Sequence, residues 1–365
     1  MKKFIAVSVF LIFTVSCSFT SYNTGNSNDN TVDIPDDLSD EVLTESEDTE
    51  SEDNDIEIID SSDEEVEIDD EISVDADESA DTENDDEIII PDEDENQTEV
   101  TVTIGTYNLS NMFDSACDSG TDGSGNCNDM EVLSSSEFSS KVNAVASSIR
   151  KISSDIQIMV EIEDETSGDA IFSKLSDIYD DIHLAVRYEG SQNLGVMTKG
   201  EITKVVKHGT ETDFTREFPE IHISYLGKKI IVFPAHFKAK SNDDPARRLR
   251  EATKAAEIIN EVATQYPDAL IVLAGDLNDE PGSAPLDALD SANLLRTASD
   301  LSSNEQCTYN YDGCSKIDHV YLSLAGNGEY IPKSAKVIKD GACGNGSYCL
   351  GSSDHAAIRA DFTVE

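Results

Sequence analysis

Residues 18–99 carry 35 Asp and Glu and no Lys or Arg, and nothing else in the chain constrains its folding as strongly. Small apolar clusters, Ile56 to Ile59 and Ile88 to Ile90, stand isolated among these charges. Such a segment cannot bury enough surface to offset chain entropy, and its like charges extend it. We read it as an acidic disordered linker, a stalk holding a domain away from a membrane.

Upstream, Lys2 and Lys3 precede an apolar run from Phe4 to Val15 and then Ser16-Cys17. This is the charged region, short hydrophobic region and small-residue site of a secretory signal, too short to span a bilayer comfortably. Cysteine directly after the small residues resembles a bacterial lipobox, although Thr14 stands where that pattern usually has Leu. The resemblance implies a signal peptide over 1–16, lipidation at Cys17, and an exported chain anchored to the bacterial cell envelope or surface.

The net charge of the whole chain is −51, and all but −18 of it lies before residue 101. Residues 100–365 suffice for one sizeable α/β domain. Beyond Cys17, six cysteines form three close pairs, Cys117/Cys127, Cys307/Cys314 and Cys343/Cys349. Six cysteines allow fifteen connectivities, but short separations and an oxidising compartment favour three local bridges that stiffen loops. Asp118, Asp122 and Asp129 in the first of these loops faintly echo a calcium loop but lack its third ligand.

Val100 to Tyr107 alternates as a strand and ends at Asn108. Ser134 and Glu137 form a capping box before Phe138, Val142, Val145, Ile149 and Ile152, which recur at helical spacing. Asp155 to Glu161 is a short apolar run suited to a buried strand. A short helix is predicted around Ala170 to Tyr179, then strands near 182–186, 194–197, 202–206, 220–225 and 229–233. A helix over 245–263 and strands over 270–274, 317–322 and 356–364 complete the pattern. Polar or ionisable residues recur at the strand ends: Asn108, Glu161, His236, Asp276, Asn278, Asp318, Asp354 and His355. An α/β scaffold often gathers its chemistry at one sheet edge in this way. Read alone, Asp354-His355 is a solvated surface pair; beside the others it suits metal-assisted hydrolysis. There is no Gly-rich phosphate loop and no GxSxG elbow.

Six segments, Gly105-Thr106-Tyr107-Asn108, Asp155 to Asp164, Pro234 to Lys238, Gly275-Asp276-Leu277-Asn278, Lys316 to His319 and Ser353-Asp354-His355, stand in the order of a known family. The chain resembles the endonuclease/exonuclease/phosphatase superfamily, the metal-dependent phosphodiesterases related to deoxyribonuclease I. The resemblance implies a four-layer sandwich of two mixed β-sheets flanked by helices. It implies that Glu161 is the principal metal ligand, assisted by Asn108 and Asp354. Such oxygen ligands suit Mg²⁺, or Mn²⁺ or Ca²⁺, rather than zinc. His355 resembles the general base, oriented by Asp318; His236 resembles the histidine that donates to a phosphate oxygen or the leaving group. Asp276 and Asn278 resemble the pair that positions the nucleophile and the scissile phosphate. Val160 stands where the family usually has Gln.

Charge complicates the substrate. Nucleic-acid binding draws on Lys and Arg, yet Glu163, Asp164 and Glu165 follow the metal Glu; Glu163 and Glu165 are expected to be solvated or to support the site. Lys238, Lys240, Arg247, Arg248, Arg250 and Arg187 supply local positives. Arg247, Arg248 and Arg250, at the start of the helix over 245–263, fit a salt-bridged surface and a phosphate-facing role equally. The leading expectation is a monomeric nuclease acting on extracellular DNA or RNA. The alternatives are a phosphatase or a phospholipase C-like esterase such as a sphingomyelinase, or a non-catalytic binding lipoprotein. No long amphipathic or aromatic hairpin suggests insertion into lipid. His183, His208, His222 and His319 are expected to be structural or exposed, and Tyr107 to pack.

Overall fold

Residues 156–160, 230–235 and 270–274 are apolar at nearly every position, the pattern of strands covered on both faces. The computed structural model describes residues 99–117, 132–187, 190–209, 212–309, 313–339 and 353–365, with the backbone of 342–343 and 347–348. The chain divides into two units, Met1–Glu87 and Ile88–Glu365, and every described residue lies in the second. The expected signal peptide, the acidic linker and Asp118, Asp122 and Asp129 lie outside the described residues.

In chain order the elements begin with β1 (Val100–Met112), α1 (Ser135–Ile152), β2 (Ile156–Ile162), α2 (Glu165–Ser173), β3 (Asp181–Ala185) and β4 (Asn193–Thr198). Then come β5 (Glu201–Lys207), β6 (Pro219–Tyr225), β7 (Lys228–His236), α3 (Pro245–Gln265), β8 (Leu270–Asp276) and α4 (Ala284–Asp290). The last are β9 (Leu294–Arg296), β10 (Asp318–Ser323), β11 (Glu329–Tyr330), β12 (Lys336–Ile338), β13 (Ala342–Cys343), β14 (Ser347–Tyr348) and β15 (Ala357–Val364).

One sheet runs β11-β15-β1-β2-β4-β3, with β12 also on β15; the other runs β5-β6-β7-β8-β10-β9. At the centre of each lies one parallel pair, β1 with β2 and β7 with β8. The neighbours β15 and β10 are antiparallel to β1 and β8. Parallel strands end at a common edge, and their antiparallel neighbours begin there. Asn108, Glu161, His236 and Asp276, near strand C-termini, are thereby brought level with Asp318 and His355, near strand N-termini.

The sheets face each other through Val102, Ile104, Ile158, Val160, Val232, Val272, Val320 and Ile358. Alternate residues point outward. Tyr107, Met159 and Ile162 meet Val145 and Ile149 of α1, while Ile231, Phe233, Ile271 and Leu273 meet Ala255 and Ile259 of α3. The result is helix, sheet, sheet, helix. Burying one such Leu, Ile or Phe side chain contributes about 1.5–3 kcal/mol, so these three clusters hold the layers together. Val160 belongs to the inter-sheet core, which is why an apolar residue fits there.

The Ser134–Glu137 capping box forms as the sequence predicts. The second helix begins earlier than its apolar spacing suggests, because Asp164 caps it by accepting the Ser167 N–H at 3.0 Å. Past Ser173 the chain turns instead of continuing the helix. Cys307 and Cys314 form the expected local disulfide; Cys127 and Cys349, needed for the other two, lie outside the described residues. Among the described residues no helix is long and apolar enough to cross a membrane.

Candidate active site

Where β1 and β2 reach the shared edge, both lose their regular register. The β1–β2 pairing shifts between Asn108 and Met112, and the β2–β4 pairing shifts between Val160 and Ile162. Ser110, Asn111 and Glu161 adopt left-handed backbone angles, with φ of 53°, 55° and 61°. Bulges re-aim side chains out of the strict alternation, and left-handed non-glycine residues tend to cluster at functional sites. Here the bulges turn Glu161 out of the sheet, and its Oε2 accepts the Asn111 N–H at 2.9 Å. Asn108 Oδ1 accepts the Ser110 N–H at 2.9 Å, closing the turn.

The β7–β8 end is regular. His236 pairs with Asp276, and Asp276 pairs across with Asp318. Gly275 precedes Asp276 with φ 155°, and a Cβ there would sit 1.8 Å from the Ala235 carbonyl oxygen. Only glycine lets the two backbones approach so closely. Asp276 Oδ1 accepts the Asn278 N–H at 2.9 Å, and Asp276 Oδ2 accepts Asn108 Nδ2 at 3.1 Å. The second bond joins the two sheets at the site. Asn278, left-handed at φ 54°, donates its side-chain amide to the Phe237 carbonyl at 3.1 Å.

His355 Nδ1 lies 2.8 Å from Asp318 Oδ2. Its Nε2 is 3.9 Å from Asp276 Oδ2, and His236 Nε2 is also 3.9 Å from that oxygen and 3.8 Å from Glu161 Oε1. Ser353 locks the loop by donating to the Asn108 carbonyl at 2.6 Å and accepting the His355 N–H at 3.0 Å. Glu161, His236, Asp276, Asn278, Asp354 and His355 line one cavity of about 320 Å³. Asn108 and Asp318 do not line it; they are buried against Asp276 and His355.

The site holds more buried negative charge than it neutralises. Burial disfavours a charged imidazole at His355, but Asp318, Asp276 and Asp354 outweigh it and raise its pKa to about 10. Burial, then Asp318 and Glu161, push the Asp276 carboxyl up. His236 moves the other way, well below 6.5, through burial and the positive charges of Arg216 and His355. Both disfavour its charged form. Asp318 Oδ1 and His236 Nδ1 are buried without a hydrogen-bond partner. A surplus of carboxylate charge with an unpartnered oxygen fits a divalent cation, and the oxygen-rich donor set suits a hard one. Among the described residues, Asp276, Asp318 and His355 bring ligand atoms within 4.8 Å of one another, and so do Asp114, Glu163 and Asp164.

No family model matches the chain, and no curated protein does. Solved structures do. TDP2 from Caenorhabditis elegans superimposes with TM-score 0.52 at 17% identity, over 72% of this chain and 74% of that one. An endonuclease/exonuclease/phosphatase family protein from Bacteroides thetaiotaomicron gives 0.53 at 14%, over 73% and 99%. SmcL gives 0.50 at 14%, over 73% and 99%. The fold is deoxyribonuclease I-like.

Within this deoxyribonuclease I-like fold, four residues absent from the sequence expectations attend the site. Lys141 reaches from α1 to donate to the Ser110 and Asn111 carbonyls at 2.5 and 2.7 Å. Burial lowers its pKa while Glu161 and Asp354 oppose that shift. Arg216 donates to Gln192 Oε1 at 2.6 Å, and Gln192 donates to Asn111 Oδ1 at 2.6 Å. The Tyr309 ring lies 4.7 Å from the His355 ring. A lone Lys on an amphipathic helix and a Gln in a loop carry no local signal, so only the fold reveals them. Of the two alternatives for Glu163, the solvated one does not hold: its Oε2 accepts the Asp114 N–H at 2.5 Å, and it is buried. Asp164 is taken up as the α2 cap. Only Glu165 of this acidic run is exposed. His208 and His222 flank Glu220, and His319 Nε2 meets the Asp279 carbonyl at 3.0 Å, all structural.

Proposed function

We propose that the chain is a metal-dependent phosphodiesterase of the endonuclease/exonuclease/phosphatase superfamily, acting as a nuclease on extracellular DNA or RNA. The observation that carries this reading is His355, held by Asp318 at 2.8 Å and facing His236, Asp276 and Glu161 across one cavity. Phosphodiester hydrolysis needs a base for water, donors for the phosphoryl oxygens and a counter-charge for the transition state. Asp318 fixes the His355 ring so that Nε2 faces Asp276 and takes the proton of the attacking water. Asp276, tied to Asn108 and Asn278, orients that water. Neutral His236 can donate without adding charge to the ground state, and it serves a phosphate oxygen or the leaving oxygen. The amide of Asn278 positions the scissile phosphate.

Glu161 and Asp354, with Asn108 beside them, are the residues assigned to the cation, Mg²⁺ or alternatively Mn²⁺ or Ca²⁺. When bound, the cation supplies charge against the phosphoryl oxygens and offsets the carboxylates that hold the His355 proton.

The purified protein is expected to degrade plasmid DNA or RNA with Mg²⁺ and to stop with EDTA. Activity on phospholipid or small phosphoesters, with none on nucleic acid, would sink the nuclease reading. The same proposal places the enzyme outside the cell on a lipidated Cys17. Labelled fatty acid should enter the wild-type chain and not the Cys17→Ser variant.

A further inference from the structure

Beside the catalytic cavity lies a second one, of about 380 Å³, at the small end of the ~300–1,000 Å³ typical of ligand sites. Four half-buried cations line it: Arg187, Arg216, Lys238 and Arg247. In a domain of net −18 this concentration of positive charge is out of character.

The hydrogen-bond partners described for Arg187, Arg216 and Lys238 are neutral. Arg187 donates to the Phe214 carbonyl at 3.1 Å, and Arg216 to the Phe237 carbonyl at 3.2 Å and to Gln192 Oε1 at 2.6 Å. Lys238 donates to the carbonyls of Ala239 and Ser241 at 2.8 and 2.6 Å. Arg247 donates to the Thr212 carbonyl at 3.0 Å, and its Nε lies 3.7 Å from Glu251. Carbonyls orient a guanidinium or ammonium without cancelling its charge. Among the described residues, Glu251 accepts the N–H groups of Thr215 and Lys238, and Asp244, which also lines the cavity, caps α3. Arg248, by contrast, is consumed by Asp243 and Asp279 and faces neither cavity.

The two cavities share their walls. Gly190 and Asn193 line the basic one while Gln192 lines the catalytic one; Lys238 lines the first while Ala239 and Lys240 line the second. Arg216 stands at the join, where Glu161 and Asp276 act on it across the boundary.

We propose that the basic cavity seats a second, uncleaved phosphate of a nucleic-acid strand whose neighbouring phosphodiester lies in the catalytic cavity. This rests on the phosphodiesterase reading above and deepens it. The arginines supply planar donor forks suited to phosphate oxygens. Phe214 lines the cavity but is stacked on Phe218 at 4.5 Å and almost wholly buried, so it offers an apolar wall and no open face for a base. The subsite therefore reads charge and not sequence. A cationic choline headgroup would be repelled from it.

Trinucleoside diphosphates test the proposal on the unmodified protein. One linkage at a time is replaced by an uncharged methylphosphonate, and kcat/KM is compared with that of the all-phosphate trinucleotide. Both isomers should lose about tenfold or more, the scale of a charge-assisted phosphate contact, because each keeps a single charged phosphate and cannot fill both cavities. Arg187→Gln with Arg247→Gln should lower the all-phosphate rate similarly, yet leave bis(4-nitrophenyl) phosphate within about twofold. If the small diester is hydrolysed but either isomer keeps full activity, the subsite is overturned and the catalytic reading stands. If a sugar bisphosphate gains as much from its second phosphate as the trinucleotide does, the strand assignment is overturned. If no diester is hydrolysed, both readings fall together.

Discussion

The two cavities that meet at Arg216 are built on opposite electrostatic principles. In the catalytic cavity, carboxylates crowd until His355 is raised to about 10. In its neighbour, cations crowd while carbonyls orient them. The first needs a counter-charge to work and the second is ready for an anion. The difference teaches that a net charge of −51 says little about a substrate. What matters is which charges are spent on backbone and which face open space. Glu163, Asp164 and Glu251 accept backbone N–H groups, whereas Arg187 and Lys238 donate to carbonyls that leave their charge in place beside the cavity they line.

The largest effect belongs to the catalytic cavity. His355→Ala and Asp276→Asn should each cut kcat on a diester by roughly 10²–10⁴-fold, the range for a lost general base or its orienting group. Binding of an uncleavable strand should change by only a few-fold, because the basic cavity is untouched. A binding protein without catalysis would show no rate to lose, so a rate comparison with isothermal titration separates the cases.

Next comes the support behind Lys238, which lines the basic cavity. His319 anchors the Asp279 carbonyl, and Asp279 carries Arg248, which in turn holds the Lys238 carbonyl. Burial depresses the His319 pKa from 6.5 to about 4. Between those values the unfolded chain binds the proton and the folded chain does not. Stability from this residue is therefore complete above about pH 6.5 and lost as pH falls towards 4, by about 3 kcal/mol. Denaturant melts of wild type and His319→Gln should differ in their acid slope by that amount. Equal slopes would mean that His319 charges freely inside the fold.

A smaller effect sharpens the contrast through salt. With two phosphates seated, at a slope of about −0.7 each, kcat/KM on a single strand should fall roughly sevenfold from about 50 to 200 mM salt. Bis(4-nitrophenyl) phosphate, with no second phosphate, should fall much less. Parallel salt curves would show that the basic cavity does not engage the strand.

Much of this was legible in the residues. The capping box, the apolar central strands and the polar residues at their ends all emerge where the sequence places them, because each is a local signal. The single edge that gathers Asn108, Glu161, His236, Asp276, Asp318 and His355 follows from strand direction, which no local pattern encodes. The paired bulges at Asn108 and Glu161 were hidden because their left-handed residues are Ser, Asn and Glu and not glycine. Glu163 and Asp164 turn to backbone N–H groups, a choice made by the fold and not by the local sequence, while Glu165 is exposed. The basic cavity draws on residues from four separate segments, so composition could list its cations but not assemble them.

Lys141 is the smallest test and the least expected. It is the cation nearest in kind to those of the basic cavity, yet it acts on Glu161 and Asp354 in the acidic one. Its ammonium braces the Ser110 and Asn111 carbonyls, and Asn111 in turn holds Glu161 through its N–H. Two consequences oppose each other. As a positive charge it competes with a divalent cation, while as a brace it keeps the carboxylate in place. Because it touches two carbonyls and accepts no share of a carboxylate directly, the electrostatic part should be modest. Lys141→Met keeps most of the stem and removes the charge, so Mg²⁺ affinity measured by titration calorimetry should rise by about two- to fivefold, the scale of a screened charge contact. Reduced affinity would mean that bracing dominates, and Lys141→Arg should then restore it by reaching the same two carbonyls.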